Sequence, residues 1–266
     1  MQANFPMTAW PVIWPDLSPP PSFCTLLAEV FPGAPCDPPE QISLLALTKE
    51  GPPLAEPPLA PAAFLRPDEM RKWQSFAGDK RRREWLAGRL CAYDCARQLA
   101  TASPKGNTKD FPTRDWRLTN APDGRPFWQG DVPEFLQGTN VSLSHGGGYA
   151  LAVTARRPVG VDVQPCQAKV ERVAAQFVNP EEEHTLNRFM PADDRLARLT
   201  LLWSAKESLR KAAPGLPAFL AMRLLDGRRN HDGWRLTFVW EPGKRQTTVA
   251  AMLHDGHAFA FCLLEG

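Results

Sequence analysis

Three short segments of this chain concentrate side chains able to do chemistry. The first is Gly160-Val161-Asp162-Val163-Gln164. Successive side chains of a strand point to opposite faces, so Asp162 and Gln164 share one face while Val161 and Val163 take the other. A carboxylate flanked by buried valines at a strand end suits a hard cation; the plainer assignment is an aspartate capping the next turn. The second is Trp203-Ser204-Ala205-Lys206-Glu207-Ser208-Leu209-Arg210-Lys211-Ala212. On a helix Glu207 and Lys211 are neighbours and Trp203 lies one turn before Glu207; an i,i+4 ion pair there is worth only ~0.3–0.5 kcal/mol. Such a pair leaves unexplained why an aromatic anchor, two lysines and a carboxylate stand together. The third is Ser142-Leu143-Ser144-His145-Gly146-Gly147-Gly148. A histidine at a strand end, followed by glycines that let backbone approach a ligand, suits a phosphate group, with a turn carrying a surface histidine as the alternative. The spacing is not that of a nucleophilic serine, because G-x-S-x-G is absent here.

These segments need strands and helices to hold them. Val141–Ser144, Tyr149–Thr154 and Val159–Val163 read as strands joined by short connections, which predicts an antiparallel meander. Pro67 and Asp68 open a helical segment through Trp73, and Lys80–Leu99 continues with Trp85, Leu86, Leu90, Tyr93 and Leu99 at helical spacing. The Lys80-Arg81-Arg82-Arg83 cluster then sits near a helix N-terminus, where cations oppose the dipole and a bound anion would relieve them; a solvated charge run is the other assignment. Further helices are predicted over Pro180–Phe189 and Asp193–Ala212. Strands follow over Trp234–Trp240, Thr247–Leu253 and Ala258–Leu264, with Asp255-Gly256 marking a hairpin. Strands and helices repeated in two halves give an α+β architecture.

The chain has 266 residues, 43% hydrophobic and 23% charged, the composition of an ordinary folded protein. Residues 1–48 hold no Lys or Arg, which leaves the remainder with 31 basic against 25 acidic residues. A mildly basic body suits an anionic ligand or acidic partner better than nucleic acid, which calls for a stronger basic stripe. Of the 28 prolines, 15 fall in the first 61 residues, so 1–40 reads as a proline-rich N-terminal extension, with a first strand near Ile42–Leu47. No apolar run approaches the ~18 residues that span a bilayer. The six cysteines show no C-x-x-C pair or zinc spacing, and no secretory leader is evident, so a reduced, cytoplasmic protein is expected.

Together the motifs resemble Sfp-type members of the 4′-phosphopantetheinyl transferase superfamily. That family's signatures look like G-(V/I)-D-(V/I)-E and W-x-x-K-E-(A/S)-x-x-K, preceded by an S-x-S-H strand; here they stand as GVDVQ at 160–164, WSAKESLRK at 203–211 and SLSH at 142–145. Gly124-Arg125-Pro126 is similar to its G-K/R-P turn, Arg83–Arg89 to its R-x-x-L-x-G-R helix, and Phe177–Glu182 to the segment before its second helix. The resemblance covers about 42–264.

It implies two pseudo-symmetric α+β halves, over 41–157 and 158–266, with coenzyme A in the cleft between them. Asp162 and Glu207, with Gln164, would ligate Mg²⁺ (or Mn²⁺) together with pyrophosphate oxygens. Glu207 would act as general base while Lys206 and Lys211 hold phosphate oxygens. Ser144, His145 and Arg125 would bind the 3′-phosphate side of the adenosine, assisted by Arg83 or Arg89. The implied reaction moves 4′-phosphopantetheine from coenzyme A to a serine of an apo acyl or peptidyl carrier protein and releases adenosine 3′,5′-bisphosphate. A monomer is expected, with neither nucleic acid nor membrane as partner. Gln164 departs from the family's Glu, which predicts weaker metal binding. A non-catalytic module that binds coenzyme A or a carrier protein is the rival, and the Asp162, Glu207 and Lys211 set argues against it.

Overall fold

Proline and acidic residues set where the first helix starts. Pro67 occupies its first turn, where a missing N–H costs nothing, and Glu69 Oε2 reaches back to accept the Arg66 N–H at 3.2 Å. This helix, α1 (Pro67–Ser75), leads into the long α2 (Asp79–Ala102). The computed structural model describes residues 41–46, 65–103, 115–213, 215, 218–230, 233–240 and 245–264. The extension expected over 1–40 lies outside the described residues.

The strands are β1 (Gln41–Ala46), β2 (Trp116–Asn120), β3 (Pro126–Gly130), β4 (Asn140–Gly146), β5 (Tyr149–Ala155) and β6 (Val159–Pro165). After them come a short α3 (Ala168–Arg172), α4 (Pro180–Phe189) and α5 (Arg195–Ala212). The chain then runs through β7 (Met222–Asn230), β8 (Gly233–Trp240), β9 (Arg245–His254) and β10 (His257–Leu263). One sheet has the order β1-β5-β4, a second β6-β10-β9-β8-β7, and β2 and β3 form a separate hairpin. The result is α+β with antiparallel pairing throughout. Among the described residues no helix is long and apolar enough to cross a membrane.

The meander is corrected in one respect. β4 and β5 do form a hairpin, turning at Gly147 (φ 60°) and Gly148 (φ 99°), but β6 leaves that sheet and pairs with β10. The short link at 156–158 carries the chain between sheets instead of between neighbours in one sheet. The β9–β10 hairpin turns at Asp255 (φ 48°) and Gly256 (φ 67°), the left-handed pair that a two-residue I′ turn requires.

The elements pack in layers. Helix α2 is buried on every side from Leu86 to Ala96, wider than a single apolar face. It lies between the first sheet and the β2–β3 hairpin, whose Trp116 and Trp128 meet edge to face 5.3 Å apart. Leu151 and Val153 of the first sheet join Val161, Val163, Phe259 and Phe261 of the second in a shared core. On the far side of the second sheet, α4 and α5 pack Leu186, Leu202 and Leu209 against Phe238 and Ala260. Gly160 sets how closely α5 approaches, because a Cβ there would strike the Ser208 carbonyl and the Ala212 nitrogen. This close approach carries the chemistry of α5 up to β6.

Candidate active site

Strands β4 and β6 are edge strands of different sheets, and they meet through side chains instead of a backbone ladder. The Val161 N–H donates to Ser142 Oγ at 3.1 Å and the Val163 N–H to Ser144 Oγ at 3.2 Å. Two otherwise orphaned edge donors are thereby satisfied. The same junction brings Asp162 of β6 beside α5. Its Oδ1 accepts from Lys211 Nζ and from Ser144 Oγ, both at 2.8 Å, and Lys211 Nζ also donates to the Val161 carbonyl at 2.9 Å. Asp162 Oδ2 is buried and has no hydrogen-bond partner among the described residues.

Glu207, one turn before Lys211, is half-buried. Burial pushes its carboxyl above the usual carboxylate range, and the charge of Asp162 pushes it the same way, against Lys211 and Arg210. Asp162, with its unpartnered oxygen, and Glu207 form an acidic pair of the kind that suits a divalent cation. Mg²⁺ takes one or two carboxylates and completes its shell with phosphate and water, so this pair fits it. Among the described residues no group of three or more His, Cys, Asp or Glu side chains could hold a metal alone, so a cation on this pair would need external oxygens to complete its shell.

His145 closes the site from the side of α2. Arg81 Nη1 lies 3.1 Å from its Nε2 and Glu84 Oε2 lies 3.7 Å from its Nδ1. A guanidinium only donates, so Nε2 accepts and the proton of the neutral ring sits on Nδ1, toward Glu84. Burial lowers the pKa of His145; Glu84 opposes this, while Arg81 and Lys211 add to it. Arg81, His145 and Lys211 thus gather positive and potentially positive charge near the Asp162–Glu207 pair.

Several expected residues lie elsewhere. Lys206 is corrected: it is sealed from solvent, paired with Glu182 Oε1 at 2.7 Å and donating to the carbonyls of Phe177 (2.6 Å) and Phe219 (3.0 Å). Its ammonium has three protons and three acceptors, which leaves none for a phosphate. Arg89 is corrected as well: it is buried, donates to the Leu118 carbonyl and to Asn120 Oδ1, and lies 3.8 Å from Glu69. Arg83 is exposed on α2. Arg81 is the arginine at His145, and the signal for it was phase, since Arg81 and Glu84 are three apart on one helix face while Arg83 is turned away. Arg125 sits at the exposed β2–β3 turn, its Nε on Asp123 Oδ2 at 2.6 Å. Gln164 is half-buried, on the strand face of Asp162 two residues on.

A family model for the 4′-phosphopantetheinyl transferase superfamily matches residues 158–262. Enterobactin synthase component D of Salmonella austin is 32% identical over 176 residues, covering 65% of this chain and 66% of that protein. Its counterpart in Salmonella typhimurium is 31% identical over 179 residues, covering 65% and 67%. The match spans just under two thirds of the length of some of these relatives, 66% in Salmonella austin and 59% in Salmonella typhi. Among solved structures, holo-[acyl-carrier-protein] synthase of Helicobacter pylori in complex with coenzyme A aligns at 18% identity and a TM-score of 0.34, over 44% of this chain and 98% of that one.

Proposed function

This chain belongs to the 4′-phosphopantetheinyl transferase superfamily, and from that premise we propose that it transfers the 4′-phosphopantetheine group of coenzyme A to a serine of an apo acyl or peptidyl carrier protein. The observation that carries the reading is the Asp162–Glu207 pair, with a buried, unpartnered carboxylate oxygen beside Lys211 and the Arg81–His145 contact. In this reading the halves expected over 41–157 and 158–266 both contribute. The first supplies Arg81, Glu84 and His145; the second supplies Asp162, Glu207 and Lys211.

Asp162 and Glu207 would hold Mg²⁺, with Gln164 contributing at most an amide oxygen, and the ion when bound would neutralise charge on the pyrophosphate of coenzyme A. Glu207 takes the proton of the carrier serine, directly or through a water, as the serine oxygen attacks the β-phosphorus. The bond from the β-phosphorus to the bridging oxygen breaks, and adenosine 3′,5′-bisphosphate leaves. Lys211 offsets charge on the phosphates as a mobile point charge. Arg81 and His145 bind the terminal phosphate of the nucleotide. The cysteines described form no disulfide, which suits a reducing cytoplasm.

The test is to incubate apo carrier protein with coenzyme A, Mg²⁺ and this protein, then follow intact carrier mass and nucleotide release. One phosphopantetheine gained per carrier, with one adenosine 3′,5′-bisphosphate released, is expected. Nucleotide release with the carrier left unmodified would overturn the assignment in favour of hydrolysis.

A further inference from the structure

The serine expected on the phosphate has a different duty in this geometry. Ser144 is buried, and its hydroxyl carries a single proton. That proton goes to Asp162 Oδ1 at 2.8 Å, because an ionised carboxylate can only accept; Ser144 Oγ in turn accepts the Val163 N–H at 3.2 Å. Ser144 therefore has no donor left for a phosphate oxygen unless Asp162 gives it up.

Ser142 is a control built into the same strand. It accepts the Val161 N–H at 3.1 Å, the same stitch across the β4–β6 junction. The bond to Asp162 is what sets Ser144 apart. Lys211 Nζ reaches the same Oδ1, also at 2.8 Å. Both donors gather on one oxygen, which fixes the rotation of the carboxylate and leaves Oδ2 buried without a hydrogen bond among the described residues.

Resting on the function proposed above, we propose that Ser144 is a positioning residue: it holds Asp162 so that Oδ2 is presented to the divalent cation, and it does not bind the 3′-phosphate of coenzyme A. Outer partners of metal-ligating carboxylates act in this way elsewhere, by setting orientation that the ligand alone leaves loose.

The experiment compares Ser144→Ala with Ser142→Ala. Each removes one stitch, and Ser144→Ala removes the bond to Asp162 as well, so its melting temperature should fall at least as far as that of Ser142→Ala. Mn²⁺ binding in the presence of coenzyme A, followed by the loss of the free-ion EPR signal, should weaken about tenfold or more in Ser144→Ala and stay near wild type in Ser142→Ala. Ser144→Cys, which keeps the shape with a weaker donor, should fall between and stands in should the alanine variant fail to fold. A second readout is the Michaelis constant for coenzyme A against that for 3′-dephospho-coenzyme A. Positioning predicts that Ser144→Ala leaves the ratio unchanged. A Ser144→Ala defect that disappears with the dephosphorylated substrate, or Mn²⁺ binding equal to that of Ser142→Ala, overturns the inference while the transferase reading stands. A wild-type protein that binds no Mn²⁺ with coenzyme A overturns both.

Discussion

Helix α5 carries two lysines, five residues apart, whose surroundings differ in completeness. Around Lys206 every polar group is answered: its three donors meet Glu182, Phe177 and Phe219, while Glu182 also accepts the backbone N–H groups of Leu224 (2.8 Å) and Asn179 (3.1 Å). Around Lys211 the account stays open. Its side chain is 31% exposed, the carboxylate it meets keeps an oxygen without a partner, and the neighbouring Glu207 is held in an environment that disfavours its charge. Folding alone satisfies the first cluster, whereas the second keeps a buried carboxylate oxygen without a hydrogen bond among the described residues, which in the proposed reading a cation would meet. Incomplete polar groups at a junction of two sheets locate this site more sharply than the charge of the motif does.

The comparison breaks first if the two lysines prove interchangeable. Lys206→Met leaves Glu182 buried without its counter-charge and should cost about 3–5 kcal/mol in urea unfolding. Adding Glu182→Gln should recover part of that loss. Lys211→Met should cost less than Lys206→Met, since Lys211 is partly exposed and Asp162 keeps the Ser144 hydroxyl, yet depress transfer. A stable Lys206→Met variant with a raised Michaelis constant for coenzyme A would return Lys206 to the phosphates.

Glu207→Gln should lower kcat by about 10²–10⁴-fold, the usual contribution of a general base. Its melting temperature should not fall. A carboxyl with a raised native pKa contributes stability below its unfolded value, near 4.5, and loses that contribution as pH rises through the native one. Once ionised, Glu207 is therefore a liability, and the amide removes it. Mg²⁺ with coenzyme A should raise the melting temperature of wild type more than that of this variant.

Gly160→Ala tests the approach of α5 itself. The added methyl meets backbone of Ser208 and Ala212, so the helix must shift, at a cost of about 1–3 kcal/mol. Kinetic loss should exceed what stability alone predicts, because Asp162 and Glu207 move apart. Equal activity would mean that their separation is not critical.

The smallest effect concerns His145. Its native pKa lies below 6.5, so the stability linked to its neutral form is complete above 6.5 and is lost as pH falls through the lowered value. A bound phosphate favours the imidazolium and reverses the shift. Calorimetry in two buffers of different ionisation enthalpy should therefore show more proton uptake on coenzyme A binding in wild type than in His145→Gln, by less than one proton per site. Identical uptake in both would remove His145 from the phosphate.

Much of this arrangement is visible in the amino-acid order because local rules govern it. The helix start at Pro180 with Asn179 capping, and the Asp255-Gly256 turn, depend on neighbours in sequence. Asp162, Glu207, Lys211 and His145 were legible as motif positions, though the approach of α5 that brings Glu207 to β6 depends on Gly160. What escaped depends on distant partners. Lys206 sits beside Glu207 in sequence, but its burial is decided by Glu182, on another helix. Strand β6 finds its backbone partner in β10, almost a hundred residues on. The edge strand β7 was missed because its charged residues and a bulge between Leu224 and Asp226 blur the alternation. The β2–β3 hairpin is short, and only its Gly124 turn stood out.

The most direct test is a crystal grown with coenzyme A and Mn²⁺ and measured for anomalous scattering. One strong peak is expected, bonded at roughly 2.1 Å, the spacing typical of Mg²⁺-type sites, to both Asp162 Oδ2 and a Glu207 carboxylate oxygen, with pyrophosphate oxygens completing the shell. A peak that touches neither carboxylate, or coenzyme A bound with no metal between them, would contradict it.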